Sequence, residues 1–241
     1  FRTLIGMAGV RMSEKKADTN HQYGHERFEC IAAVILAGLL FATGVGIGYG
    51  GISNLVTGAY REISAPGFLA LIAAAVSIVV KEGMYWYTRA AAKRVRSGAL
   101  LADAWHHRSD ALSSIGSLVG VVGAQLGFKP LDSIAAIVIS LFILKVAVSI
   151  FIDSMKKMTD EACPETTVAR IREVILSHRE VVDIDNLKTR KFGERIYVDI
   201  EIAIDAAVSF VEAHNIATLV HDDLEREFVD IKHCTVHANP R

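Results

Sequence analysis

The strongest constraint on the fold is a long stretch without any charged residue, which runs from Cys30 to Tyr60. A helix needs about 20 apolar residues to cross the hydrocarbon core of a bilayer. The stretch therefore predicts a transmembrane helix with room for tilt or an interfacial end. Residues 1–12 look like the tail of another apolar helix, and we expect one or more helices upstream.

Further apolar segments extend this pattern into a multi-pass α-helical membrane bundle. Hydrophobic residues make up 51% of the chain, and the mean hydropathy is +0.33. We predict a transmembrane domain over residues 1–157 and a soluble domain over residues 158–241. The predicted spans are 29–60, 67–88, 99–128 and 131–153.

Basic residues indicate how the bundle is oriented. Two groups of loops alternate, and only one of them is rich in lysine and arginine. Because basic loops face the cytoplasm, we expect the polar loop at 12–29 and the soluble domain to lie in the cytosol. The basic group comprises Lys15, Lys16, Arg27, residues 89–96 and residues 156–157, against Arg61 and Lys129 on the opposite side.

Composition excludes some classes of partner. The net charge is −1, and no basic patch with interleaved aromatic residues is present, so nothing indicates nucleic-acid binding. The cysteines Cys30, Cys163 and Cys234 are too widely spaced for a CxxC pair or a disulfide framework. We therefore expect a reducing compartment around the soluble part.

Residues 102–111 crowd ionisable groups at one end of a predicted span. Ionisable groups inside a membrane are costly and mark functional sites. His106 and Asp110 are four residues apart and so share one helix face. An imidazole and a carboxylate at this spacing suit one divalent cation, and zinc accepts both ligands.

The polar loop at 12–29 holds Asp18, His21 and His25 within eight residues. The two histidines would share a helix face if the following helix begins early. One interpretation is a second metal site. The other is a solvated loop that contains two histidines, and spacing alone favours this second interpretation.

Glycines in the first predicted span match the pattern G-x-G-x-x-G between Gly46 and Gly51. A dinucleotide site needs a strand before these glycines and a helix after them. Here they lie within an apolar run, so we reject that interpretation. Small residues at these positions instead favour close packing of membrane helices.

Two neighbouring charges, Lys81 and Glu82, lie about two turns before the end of the second span. They are either an ion pair in a polar core or a lysine that extends to the nearby interface, and the second interpretation is slightly favoured. The aromatic residues 85–87 are typical of an interfacial belt.

The soluble part shows the order α-β-β-α-β. A strand is predicted where Val198, Ile200, Ile202 and Ile204 alternate with polar residues. This order predicts a small open sheet with two helices packed on it. The remaining elements are predicted at 164–178, 185–191, 209–226 and 229–237, with a hairpin turn at Gly193.

Metal-ligating residue types are scattered over this domain. His233 and His237 point to one face of the last strand, and Cys234 points to the other. Most of these side chains are expected to be ordinary surface residues, and a metal site is the less favoured interpretation. The set comprises Asp185, Glu201, His214, His221, His233, Cys234 and His237.

Several of these stretches together resemble the cation diffusion facilitator family. Residues 103–110, Asp-Ala-Trp-His-His-Arg-Ser-Asp, resemble the motif of its fifth helix. Residues 17–25 resemble its first cytoplasmic loop, and Pro130-Leu131-Asp132 resembles the start of its sixth helix. The α-β-β-α-β order is similar to its metallochaperone-like cytoplasmic domain.

The resemblance implies an architecture and an activity. Six helices would be normal, of which about four are complete here, followed by a cytoplasmic α+β domain. It implies a homodimeric antiporter, not an enzyme, that exports a divalent metal from the cytosol in exchange for protons. Zinc is the first expectation, with Fe²⁺, Mn²⁺, Co²⁺ and Cd²⁺ as alternatives, and the bacterial inner membrane is the expected location.

The resemblance also implies roles for individual residues. His106 and Asp110 would form the fifth-helix half of the transport site, and the two helix-two aspartates would lie upstream of residue 1. Asp18, His21 and His25 would form a loop site. The cytoplasmic ligands would be Asp185, Glu201, His214 and His237, the interlock pair Arg27 and Asp160, and the gate Trp105.

Two other functional classes remain open from the sequence. A transport-inactive relative of the same fold would serve as a metal-sensing scaffold, although the intact pair of His106 and Asp110 argues against this. An intramembrane metalloprotease would need a helix with the pattern HExxH. That pattern does not occur in this sequence.

Overall fold

The computed structural model describes residues 2–58, 68–125 and 130–241. The chain divides into two compact units, residues 1–155 and residues 156–241. The first unit consists of helices, and the second contains two further helices and a three-stranded sheet. The expected fold class, a helical bundle followed by an α+β domain, is confirmed.

Five helices begin in the first unit. The fifth continues into the second unit, and the predicted residues at 59–60, 67 and 126–128 lie outside the described ranges. Among the residues that the structure describes, α2 and α5 are long and apolar enough to cross a membrane. The helices are α1 (Arg2–Ser13), α2 (Arg27–Thr57), α3 (Phe68–Val95), α4 (Gly98–Gln125) and α5 (Leu131–Met158).

Glycines of α2 allow close contact with α5. A Cβ atom added at Gly48 would lie 2.7 Å from Ser140 Oγ, and one at Gly51 would lie 2.9 Å from the carbonyl oxygen of Ser133. Cβ atoms added at Gly46 and Gly50 would meet nothing within 4 Å. Close helix packing was therefore correctly predicted for this stretch. Gly48 and Gly51 provide it, whereas Gly46 and Gly50 do not.

Helices α3 and α4 form a hairpin through a two-residue connection. Arg96 takes a left-handed conformation with φ of 53° and ends α3. Ser97 Oγ accepts the backbone N–H of Leu100, and the Glu29 carboxylate on α2 accepts that of Gly98 at 2.8 Å. These acceptors cap the N-terminus of α4, where unpaired N–H groups and the helix dipole favour negative charge.

The three aromatic residues at 85–87 do not form one belt. Tyr85 is buried, with 1% of its surface exposed, whereas Trp86 and Tyr87 are exposed. The Tyr85 ring packs against Trp105 of α4 and lies under the Arg108 guanidinium, 4.4 Å from the ring centroid. The belt prediction was wrong for Tyr85, which helps to join α3 to α4.

The second unit has the predicted order α-β-β-α-β. Strand β2 is central, antiparallel to β1 and parallel to β3. Its apolar face packs with both helices into one core that includes Val198, Ile200 and Ile202. The elements are α6 (Glu165–Leu176), β1 (Asp183–Phe192), β2 (Arg195–Ile204), α7 (Phe210–Glu227) and β3 (Ile231–Pro240).

Candidate functional site

The predicted transport pair lies in the first half of α4. His106 Nε2 and Asp110 Oδ2 are 3.9 Å apart, one helical turn from each other. Two ligands that are each about 2.0–2.2 Å from a tetrahedral zinc ion lie about 3.4 Å apart. The pair needs only a small side-chain adjustment to share one metal ion.

Charged residues of α3 lie beside this pair. Lys81 Nζ is 3.7 Å from Asp110 Oδ2, and Glu82 Oε1 is 3.5 Å from the Arg108 guanidinium. Trp86 Nε1 also donates to Glu82 Oε1. The sequence did not predict these pairs between α3 and α4. From the sequence, we expected Lys81 either to pair with Glu82 or to extend to the membrane interface.

A second histidine–carboxylate pair lies on the same helix. His107 Nε2 is 3.7 Å from Asp103 Oδ2, and only 2% of Asp103 is exposed. Sequence reasoning missed this pair, although its spacing of four residues equals that of His106 and Asp110. The repeated spacing was the signal that would have identified it.

Trp105, the expected gate, is surrounded by aromatic rings. Its ring centroid lies 5.5 Å from that of Tyr85 on α3 and 5.7 Å from that of Phe142 on α5. These contacts explain Trp105 as a packing residue that holds three helices together. Its role as a gate stays a prediction.

The loop between α1 and α2 brings its three predicted ligands together. One ligand atom from each of Asp18, His21 and His25 lies within 4.8 Å of the others. His25 Nε2 is 3.4 Å from Asp18 Oδ2, and His21 Nδ1 is 3.6 Å from Asp18 Oδ1. The two histidine rings are 4.5 Å apart, so the ligand atoms of the three side chains are close enough to share one metal ion. The loop metal site stays a prediction.

Hydrogen bonds hold Asp18 and His25 in place. His25 is 4% exposed, and its Nδ1 donates to the carbonyl oxygen of Lys15 at 3.2 Å. Its Nε2 faces Asp18, and anchoring of the second ring nitrogen is also common among histidines that bind metal. The backbone N–H of His21, which donates to Asp18 Oδ1, lowers the pKa of Asp18 to about 2.

The structure brings together only some of the ligands that were predicted in the second unit. Asn239 Nδ2 donates to Asp185 at 2.9 Å and reaches Glu201 at 3.5 Å, while Asn186 donates to Glu201. His237 is the β3 neighbour of Glu201 in the sheet register. His214 lies exposed on α7, and within the described ranges only the loop residues form a three-ligand group. This ligand set therefore stays a prediction.

Other metal-type residues of the second unit have different surroundings. Cys234 is 3% exposed, and its burial raises the pKa of the thiol to about 12. A thiol must lose its proton to bind metal, so Cys234 is a poor ligand. His221 lies with Nδ1 2.9 Å from the Cys234 carbonyl oxygen and Nε2 3.4 Å from Glu225.

The two residues of the expected interlock belong to different units. Arg27 is the first residue of α2, and Asp160 follows α5 with a left-handed φ of 58°. Their pairing stays a prediction from the resemblance.

Comparison with known proteins identifies both units. A sequence model described as the cation efflux transmembrane domain matches residues 1–159, and one described as the cytoplasmic domain of cation efflux proteins matches residues 163–241. The chain belongs to the cation efflux family. Members of this family are membrane transporters rather than enzymes.

Relatives of this cation efflux protein occur in several kingdoms. An uncharacterized transporter of Methanocaldococcus jannaschii is 34% identical over 98% of this chain and 82% of its own length. Metal tolerance protein C1 of Arabidopsis thaliana is 32% identical over 98% of this chain. The chain spans 53% of the plant protein, about half its length. The manganese efflux system protein MneS of Bacillus subtilis is 31% identical over 97% of this chain and 79% of its own length.

Solved structures of the MamM CTD also match part of the chain. A cadmium form of the MamM CTD is 25% identical and covers 32% of this chain and 96% of its own, with a TM-score of 0.31.

Proposed function

We propose that this cation efflux protein exports Zn²⁺ from the cytosol in exchange for protons by alternating access. The family membership supports cation efflux as the activity. The matched cytoplasmic domain supports a homodimer, and we place the dimer in a bacterial inner membrane with residues 158–241 in the cytosol.

The observation that carries this proposal is the distance of 3.9 Å between His106 Nε2 and Asp110 Oδ2 on α4. This pair offers one nitrogen and one oxygen to a single cation, and imidazole suits zinc better than it suits manganese. Both groups also bind protons, so metal and protons compete for the same atoms. Proton binding from the far side would then release the metal.

Manganese is the second candidate substrate. Two relatives from Bacillus subtilis, MneS and MneP, carry the name manganese efflux system protein. Manganese prefers sites made of oxygen ligands, so the substitution His106→Asp should move the preference of the transporter from Zn²⁺ toward Mn²⁺. An unchanged order of metals in His106→Asp would show that His106 does not set the selectivity.

Metal-dependent proton flux tests the proposal directly. The full-length protein is reconstituted into proteoliposomes that contain a pH-sensitive dye, and Zn²⁺, Mn²⁺, Fe²⁺ and Cd²⁺ are added in turn. We expect Asp110→Ala to abolish the flux because the carboxylate ligand is lost. Glu82→Gln is the matched control, since Glu82 pairs with Arg108 across the same two helices and should retain flux.

Three outcomes decide the matter. Zn²⁺-driven flux that Asp110→Ala removes and Glu82→Gln retains would support the exchanger. Equal flux in Asp110→Ala would refute the assigned site. No flux with any metal, from protein that is folded and dimeric by size-exclusion chromatography, would favour the transport-inactive scaffold.

A further inference from the structure

One carboxylate oxygen of Asp110 has two competing neighbours. Asp110 Oδ2 lies 3.9 Å from His106 Nε2 on the same helix and 3.7 Å from the Lys81 ammonium on α3. About one third of each of the Lys81 and Asp110 side chains is exposed, at 34% and 36%. The ammonium therefore lies beside the oxygen that the proposed metal ion would use.

The neighbouring charges explain why Lys81 turns to Asp110. Glu82, the adjacent carboxylate in sequence, accepts from Trp86 and pairs with Arg108. Arg108 in turn lies over the Tyr85 ring, which is buried between the two helices. Each of these acidic side chains thus faces one basic side chain from the other helix.

A metal ion and the ammonium cannot both bind Asp110 at full strength. A divalent cation at His106 and Asp110 would meet a positive charge beside its carboxylate ligand, and like charges at this distance repel. A metal ion that is bound by both His106 and Asp110 also needs a lone pair of the Asp110 oxygen nearest to it. Binding of one cation therefore weakens binding of the other, and the effect is reciprocal.

We propose that Lys81 is a tethered counter-ion that holds Asp110 when metal is absent and yields it when metal binds. This inference rests on the proposed transport site at His106 and Asp110. Lys81 keeps its charge throughout and changes only its position. When the metal leaves, Lys81 returns to Asp110. Its positive charge lowers the free energy of the metal-free carboxylate between the helices, and this speeds release of the metal.

The size of the effect follows from the fraction of time that the pair is formed. An apparent Kd rises in inverse proportion to the competent fraction of the protein. If Lys81 holds Asp110 for about nine tenths of the time, then the metal-free site binds about tenfold more weakly than it would without the lysine.

Direct binding of Zn²⁺ tests this competition. The full-length protein in detergent is titrated with Zn²⁺ alone against a chelating dye, and the transport site is defined as the component of binding that Asp110→Asn removes. We expect Lys81→Gln to lower the Kd of that component about tenfold. Glu82→Gln should leave it unchanged, because Glu82 pairs with Arg108 and not with Asp110.

An arginine at the same position should act in the opposite direction. A guanidinium binds a carboxylate through two hydrogen bonds, whereas an ammonium acts as a point charge. Lys81→Arg should therefore raise the Kd for Zn²⁺ by roughly threefold to tenfold. This variant retains a cation between the helices and carries the test even if Lys81→Gln fails to fold.

Transport kinetics distinguish a counter-ion from a residue that only stabilises the fold. In proteoliposomes, Lys81→Gln should lower both KM and kcat for Zn²⁺, because the metal binds more tightly and leaves more slowly. Loss of a purely structural residue would lower kcat without tightening the binding of Zn²⁺.

The variants also separate this inference from the proposed function. If Asp110→Asn binds Zn²⁺ with the parent stoichiometry, the transport site itself is wrong. If Asp110→Asn loses one zinc ion while Lys81→Gln and Lys81→Arg keep the parent Kd, the transport site stands and the counter-ion is refuted. Opposite shifts of Kd in the two lysine variants, with Glu82→Gln unchanged, establish it.

Discussion

His25 presents one ring nitrogen to Asp18 because its other nitrogen donates to the Lys15 carbonyl oxygen. Asp18 in turn is held by the backbone N–H groups of Asn20 and His21. A lone pair on His25 Nε2 and an ionised Asp18 would repel each other without a proton or a metal ion between them. We propose that these hydrogen bonds hold the side chains in position for a small cation.

His21 provides a clean test of this loop site, because its side chain is 46% exposed and contributes little to packing. Loss of even an outer partner of a metal ligand weakens binding about 10–100-fold, so His21→Ala should weaken zinc binding by at least about a hundredfold. Zinc per chain, measured by mass spectrometry after dialysis, should fall by one ion. Asn20→Ala, an exposed neighbour, is the control, and equal zinc contents in both variants would contradict the site.

Cys234 should be unreactive in the folded protein. Burial raises the pKa of its thiol to about 12, and only the thiolate attacks a maleimide. At pH 8 its thiolate fraction should be about a thousandfold below that of a free cysteine. Labelling followed by peptide mapping should find Cys234 modified only after denaturation, and the native rate should increase with pH. Rapid labelling at pH 8 without denaturant would contradict the buried thiol.

At the scale of secondary-structure elements, the site depends on how three helices, α2, α3 and α5, pack around α4. The Glu29 carboxylate of α2 and Ser97 cap its N-terminus, and Tyr85 of α3 packs on its Trp105. Phe142 of α5 contacts the same Trp105 ring. The proposed ligands on α4 are thus positioned by packing on both sides of this helix, and ion pairs join α4 to α3.

The seam between α2 and α5 should be sensitive to a single methyl group. At Gly51 a Cβ atom would lie 2.9 Å from a backbone oxygen that cannot rotate away. Overpacking of this kind costs about 1–3 kcal/mol, so Gly51→Ala should lower the free energy of unfolding by that amount, measured by denaturant titration in micelles. Gly46→Ala is the matched control.

The control is expected to change stability in the other direction or not at all. A Cβ atom at Gly46 would meet nothing within 4 Å, and alanine is favoured over glycine in helices by about 1 kcal/mol. If Gly46→Ala destabilises the protein as much as Gly51→Ala, the two faces of α2 do not differ in how closely they pack against neighbouring helices.

At the scale of the whole molecule, two units with different cores share one chain. The second unit has its own core of buried residues from α6, α7 and the sheet. Two ion pairs within it, Lys157 with Glu194 and Lys191 with Glu161, join the last turn of α5 and the segment that follows it to the β1–β2 hairpin. The unit thus has the internal contacts of an independent domain.

A fragment of residues 156–241 should therefore fold alone. We expect a cooperative thermal transition by circular dichroism, with a stability of about 5 kcal/mol for a domain of this size. Ile202→Asp, which places a charge in the centre of the core, should abolish the transition. Analytical ultracentrifugation of the fragment then tests the proposed dimer, and a monomer at high concentration would contradict it. A gradual, non-cooperative transition would contradict the independent core.

The sequence by itself determined the local structure and which potential ligands lie close together within one element or loop. A long run without charge predicts a membrane helix from its length, and alternating apolar residues predict a strand because they repeat with its period of two. The sequence could pair His106 with Asp110 because the two residues lie one turn apart on the same helix. Asp18, His21 and His25 lie within eight positions, and the structure brings their ligand atoms together, although spacing alone favoured a solvated loop.

Only the tertiary structure decided which surfaces meet. It paired Lys81 with Asp110 rather than with Glu82. It also buried Tyr85 and Cys234, which the sequence treated as accessible. Such choices depend on how far each helix or strand rotates and slides against its neighbours, and that is set by the fit of many side chains together. A hydrophobic repeat within one helix or strand does not specify how that element rotates and slides against its neighbours.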